Sequence, residues 1–217
     1  MATPPPPPPP PPPASPAGNT IVDRAKNILI TPKPEWEVIE REPLGVAQVF
    51  TSYVVPMLLI GAFASFIGFG FIGQNGFKLG AQGGLVQALV YIAFTAVMVF
   101  AMAATIDILA PSFAAEKNWT KSFKLAAYCL TAAYLSGIFW FFPALWILVL
   151  LISLYSLYAL YTGIAVIKKT TADRQVAYFA VVILITVVLY ILLQLLVKEI
   201  VKAFQPNPMN QFQNYFR

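Results

Sequence analysis

Histidine is absent from the 217 residues, and cysteine occurs once, as Cys129. Without histidine there is no Ser-His-Asp or Cys-His nucleophile, no His-ligated zinc or haem, and no imidazole proton relay. One cysteine excludes an intramolecular disulfide and a thiolate metal cluster. No catalytic residue, metal site or cofactor is expected. Charge is scarce too: Asp, Glu, Lys and Arg make up 11% of the chain, against about 25% in an average soluble protein. Hydrophobic residues fill 59%. So few charges cannot clothe that much apolar surface in water, so the composition describes a polytopic membrane protein. The net charge of +5 lies mostly outside the apolar runs, where it bears on topology and lipid contact rather than on nucleic acid.

The prolines are unevenly spread, with ten in one run from Pro4 to Pro13. Residues 1–19 read as a disordered proline-rich tail, an extended polyproline II spacer of about 30 Å over the run. A groove of the SH3 or WW kind is the alternative ligand for it. Residues 20–42 are polar but patterned. Ile21, Val22, Ala25, Ile28 and Leu29 recur at helical spacing, with Asn19 or Thr20 as N-cap and Asp23 in the first turn. Thr31-Pro32-Lys33-Pro34 ends that helix, and a second runs from Glu35 to Arg41 with Trp36 and Ile39 on one side. These amphipathic helices are expected on the membrane surface, with Trp36 as interface anchor, or packed on the ends of the spans.

Residues 43–203 carry the apolar runs, and 204–217 form a short tail. A span needs about 20 residues for a ~30 Å core. The run from Leu125 to Ile167 is about twice that length and must fold into a hairpin, with its corner at Ser136-Gly137 and Phe142-Pro143. The expected fold is therefore all-α: a transmembrane bundle of five spans, near 46–72, 85–109, 122–141, 144–167 and 176–202, preceded by short amphipathic helices. Basic residues number ten on the side of Arg24, Lys117 and Lys168 and four on the other, which places the N-terminus in the cytoplasm and the C-terminus outside.

Gly68-Phe69-Gly70-Phe71-Ile72-Gly73 spells a dinucleotide fingerprint, but no strand precedes it and no acid follows at the required distance. Gly61, Ala64, Ser65 and Gly68 instead make span 1 a packing helix, kinked at Pro56. Asp107 is the acid placed inside spans 1 to 4, with a tyrosine hydroxyl or a loop lysine as its expected partner. Tyr155, Tyr158 and Tyr161 follow at i, i+3 spacing on span 4, Tyr128 and Tyr134 lie on span 3, and Tyr128, Tyr158 and Tyr161 are expected near Asp107 as a polar cluster.

Four segments resemble the Yip family (Ypt-interacting proteins), in its bacterial branch. Ile28-Leu29-Ile30-Thr31-Pro32 with Trp36, Ile39 and Glu42-Pro43 is similar to the family's pre-membrane segment. Asp107-Ile108-Leu109-Ala110-Pro111 resembles its acid-x-x-Ala-Pro loop, and Ala127-Tyr128-Cys129-Leu130-Thr131 its Ala-Tyr-x-x-Thr pattern. Leu154 to Gly163 resembles its tyrosine-rich helix ending in glycine. Ala132 stands where that family often has proline, which removes the residue that would kink span 3. The resemblance implies a five-span domain with a cytoplasmic N-terminus in a bacterial inner membrane. Eukaryotic relatives bind Rab GTPases in vesicle traffic; bacterial members have no settled activity, so no Rab partner is carried over. The expected function is a non-enzymatic module that binds a partner or organises the membrane, with the bilayer, a protein or a second copy as partners. The competing reading, from Asp107, the tyrosines and Gln194, is a small oligomeric transporter or channel.

Overall fold

The computed structural model describes residues 20–73 and 78–204, with side chains through Glu199. The expected proline-rich tail lies outside the described residues, as does the C-terminal tail beyond Phe204. All regular structure among the described residues is helical.

Helix α1 spans Ile21–Ile30. Thr20 starts it: its hydroxyl accepts from the Asp23 amide (3.1 Å), and the Asp23 carboxylate accepts from the Thr20 amide (3.2 Å), a reciprocal capping box. Helix α2 spans Pro32–Arg41, earlier than the expected start at Glu35. Pro32 occupies the first turn, where its fixed φ fits and its missing N–H leaves no bond unmade. Both helices bury one face, Arg24, Ala25 and Ile28 on α1 and Glu35, Trp36 and Ile39 on α2. Their buried faces lie on the bundle: α1 touches span 3, and α2 lies along the second half of span 4.

Five helices are long and apolar enough to cross a membrane: spans 1 to 5 at Val46–Ile72, Gly80–Phe113, Trp119–Phe141, Pro143–Ile167 and Ala172–Glu199. Their number and order match the sequence reading, with span 2 starting five residues earlier than expected. Spans 1, 3 and 5 pack on span 2, and span 3 also contacts spans 1 and 4.

Local irregularities follow from the sequence. Pro56 cannot donate to the turn before it, and a π turn at Phe50–Val54 widens the helix there. Thr51 and Ser52 hydroxyls cover nearby carbonyls, donating to Ala47 O (2.8 Å) and Gln48 O (2.6 Å). Span 3 breaks at Leu130 although no proline is present. Just beyond the break the Thr131 hydroxyl donates to Tyr128 O at 2.6 Å. The glycine run forms a second π turn, Gly68–Ile72, at the end of a helix, where the nucleotide fingerprint requires a strand before it. A Cβ on Gly68 would lie 1.8 Å from Trp140 O, so only glycine lets span 1 meet the end of span 3 there.

Candidate functional site

At the end of the bundle that carries α1 and α2, charged side chains hold the two short helices down. Arg24 is buried, and its Nη1 lies 2.5 Å from Glu35 Oε1 while its Nη2 donates to Glu42 Oε1. Its guanidinium also sits 5.5 Å from the centre of the Tyr128 ring. Asn27 Nδ2 donates to the other Glu35 oxygen at 3.0 Å. A buried guanidinium facing two carboxylates is stable only because each charge is met by its opposite. Lys124 rises from span 3 to the end of α2, where Nζ donates to the carbonyls of Ile39 (3.2 Å) and Glu42 (2.5 Å). A cation at a helix C-terminus satisfies carbonyls that have no partner within the helix.

Trp36 completes the latch. It is fully buried, and its indole N–H donates to Thr162 Oγ1 at 3.2 Å. Gly163 makes room for it: a Cβ there would lie 2.7 Å from Trp36 Cε2 and 2.5 Å from Leu125 Cδ1. The Tyr155 hydroxyl reaches Leu29 O at 2.6 Å, tying α1 to span 4. Lys121 bridges Glu40 of α2 (3.0 Å) and Glu116 of the loop before span 3 (2.9 Å). The hydrogen bond from Lys121 holds the Glu40 carboxyl below its ordinary pKa.

A second network closes the same end between spans 2, 3 and 4. The Ser122 hydroxyl donates to Asp107 Oδ1 at 2.9 Å and receives Lys168 Nζ at 2.7 Å. Lys168 Nζ is 3.7 Å from Asp107 Oδ1, and the lysine is fully buried. Burial pushes the Lys168 pKa down, while the nearby Asp107 carboxylate opposes that shift. Beside them the Tyr178 hydroxyl donates to Ile106 O, and its ring stacks on Phe113 at 5.0 Å.

The expected polar cluster is corrected by this geometry. Of the two partners foreseen for Asp107, it has the loop lysine, Lys168, with Ser122. Tyr128 sits instead under Arg24, its ring 4.7 Å from that of Tyr53. Tyr158 and Tyr161 are exposed, at 48% and 36%, and meet Tyr155 and Phe179 through ring edges. Helical spacing put Tyr155, Tyr158 and Tyr161 in sequence, but it left their faces unassigned. Gly61, Ala64, Ser65 and Gly68 are all buried in span 1. Trp36, foreseen as an interface anchor, is buried inside the protein, where Gly163 and Thr162 offer a slot and an acceptor. Sequence reasoning missed Arg24, Glu35, Glu42 and Lys124 as a unit. Lys124 carried the signal: a lysine at the edge of an apolar run needs partners from outside that run.

The arrangement latches α1 and α2 onto the spans. The face of α1 left outward carries Val22 and Ile30, 73% and 67% exposed, with Lys26 between them. These three follow one another at i, i+4 spacing and form one stripe. The family model of the Yip1 domain matches residues 26–195, from within α1 to near the end of span 5. No curated protein and no solved structure gives a significant match. The chain belongs to the Yip1 domain family.

Proposed function

Taking membership of the Yip1 domain family as the premise, we propose that the chain is a non-enzymatic membrane protein whose latched α1–α2 unit presents a docking surface for a protein partner. One observation carries this reading: the outward stripe of Val22, Lys26 and Ile30. The buried faces of α1 and α2 are consumed by Arg24, Trp36 and Lys124, which fix both helices to the spans. A rigid, two-apolar, one-basic stripe is pre-organised, so a partner meets it without the cost of ordering a loop. We further place this end in the cytoplasm of a bacterial plasma membrane. The ten-to-four bias of basic residues supports that orientation, and the odd number of spans then puts the end of span 5 on the opposite side.

The test uses photoreactive residues at Val22 and Ile30 in native membranes, with Ile138 at the far end as control. The expected result is one discrete protein adduct from both α1 positions and none from Ile138, abolished by Lys26→Glu. Lipid adducts alone at Val22 and Ile30 would overturn the docking reading. Orientation is read separately on a Cys129→Ser background: a cysteine at Lys117 labels from the cytoplasm and one at Lys78 from outside. The reverse pattern overturns the placement.

A further inference from the structure

The other half of the bundle contains a cavity of about 600 Å³ between spans 2, 3, 4 and 5, within the size range of ligand pockets. Its inner wall is mostly apolar, formed by Met98, Met102, Leu130, Leu160 and Ile183, with the buried hydroxyls of Tyr134 and Ser156 set among them. Hydroxyls are scattered through its lining, but the charged residue there, Lys198, lies on span 5 toward the far membrane surface. Tyr190, Gln194 and Lys198 line it at i, i+4 and i+8, Gln194 Nε2 donates to the Tyr190 hydroxyl at 2.9 Å, and Gln87 lines it from span 2. The charge of the lining therefore stands at the far end, and the amide of Gln194 next to it.

The cavity opens sideways. Spans 4 and 5 are joined through Tyr155–Ile167, by the Tyr161–Phe179 ring contact (5.3 Å) and by Gln175 Nε2 on Tyr161 O (2.8 Å). Beyond that seam, Trp146–Ser153 turns back onto span 3. Val187 both lines the cavity and is 47% exposed, so the cavity is continuous with the lipid-facing surface of span 5.

From this geometry we propose that the cavity holds one acyl chain of an anionic glycerophospholipid from the far leaflet, with its phosphate at Lys198. From Lys198 to Ile183 is about 22 Å of helix at ~1.5 Å per residue. Half of a ~30 Å core is about 15 Å, so the cavity accepts the full depth of one leaflet and a little more. A charged headgroup cannot sit at the apolar wall, but at Lys198 it meets a cation at the membrane surface. A water-borne ligand would have to cross hydrocarbon to reach a side opening; a bilayer lipid is already there. This site makes no use of the α1–α2 surface, and either reading stands if the other fails.

The full chain, purified in mild detergent, is incubated with phosphatidylglycerol or phosphatidylcholine, and retained lipid is counted by native mass spectrometry. One phosphatidylglycerol per chain is expected, retained in preference to phosphatidylcholine. Lys198→Gln lowers phosphatidylglycerol binding about fivefold and leaves phosphatidylcholine unchanged, since a surface lysine contributes about that factor toward an anionic lipid. Val187→Trp, which fills the side opening, lowers both, and Lys117→Gln at the opposite end lowers neither. Equal retention of the two lipids by the unmodified chain overturns the proposal. So does phosphatidylglycerol retention untouched by Lys198→Gln, a substitution at an exposed position that decides the matter even if Val187→Trp unfolds.

Discussion

Span 3 and span 5 both qualify as membrane-crossing helices, yet they live in different solvents. Within the most apolar window of each, 72% of span 3 is buried inside the protein, against 6% of span 5. Mean hydropathy runs the other way, 1.2 for span 3 and 3.0 for span 5. In water the greasier helix would be the one inside. In a bilayer the lipid is as apolar as any side chain, so burial is earned by groups that need protein partners. Span 3 has them: Lys121, Ser122, Lys124, Tyr128 and Thr131 all bond or pack with polar groups on other segments or on the backbone. Span 5 offers few such groups, and most of its side chains face outward.

Breaking the polar half should therefore cost far more than altering the lipid-facing half. The largest effect is expected at Arg24. Arg24→Met strands the buried carboxylates of Glu35 and Glu42, and removing one partner of a buried ion pair costs about 3–5 kcal/mol. The α1–α2 unit should come loose, seen as protease cleavage near residues 42–45 in intact membranes and a large drop in melting temperature. A variant that keeps both would show that the latch does not depend on charge.

Next in size is the Asp107–Ser122–Lys168 network. Lys168→Met leaves the carboxylate of Asp107 without its cation and should cost about 3 kcal/mol, at the low end for a broken buried pair. Adding Asp107→Asn removes the stranded charge, and the amide still accepts from Ser122. The double variant should recover most of the lost stability in a thermal melt. If Asp107→Asn instead adds a further loss, the carboxylate interacts with something other than Lys168.

Gly163→Ala is expected to be milder. The new methyl group would overlap the Trp36 ring and Leu125, and overpacking of this kind costs about 1–3 kcal/mol. Its signature is a change in Trp36 fluorescence as the indole leaves Thr162. The Asp107 network, centred on other residues, should be untouched.

The sequence carried the five spans, their order and the two short helices, because hydropathy and helical period are one-dimensional signals. It carried the partner of Asp107 only as a choice between a tyrosine and a loop lysine. Tyr128, Tyr158 and Tyr161 were expected beside Asp107 because spacing fixes a residue's height along a helix without fixing its direction around the bundle. Tyr158 and Tyr161 stand near the same end as Asp107 and still face outward. The basic residues were read as a topology signal, yet Arg24, Lys121, Lys124 and Lys168 are also spent on internal carboxylates and carbonyls. One residue type served two purposes, and composition cannot separate them.

The smallest expected effect probes span 3 itself, where its polar half gives way to the cavity. Tyr53 and Tyr134 are both buried, at 3% and 1% exposure. The Tyr53 hydroxyl shares a 2.7 Å hydrogen bond with Thr131, whereas the Tyr134 hydroxyl is buried with no partner. Interhelical hydrogen bonds in membranes average about 0.6 kcal/mol and rarely exceed ~1.7. Tyr53→Phe should therefore lower stability by roughly that amount. Tyr134→Phe keeps the ring and its packing but deletes a hydroxyl whose burial is uncompensated, so stability should stay level or rise by up to about 1 kcal/mol. Paired thermal melts in the same detergent measure the difference. Equal losses in the two variants would mean that the Tyr134 hydroxyl is bonded in the membrane, and that the polar zone of span 3 extends to the cavity wall.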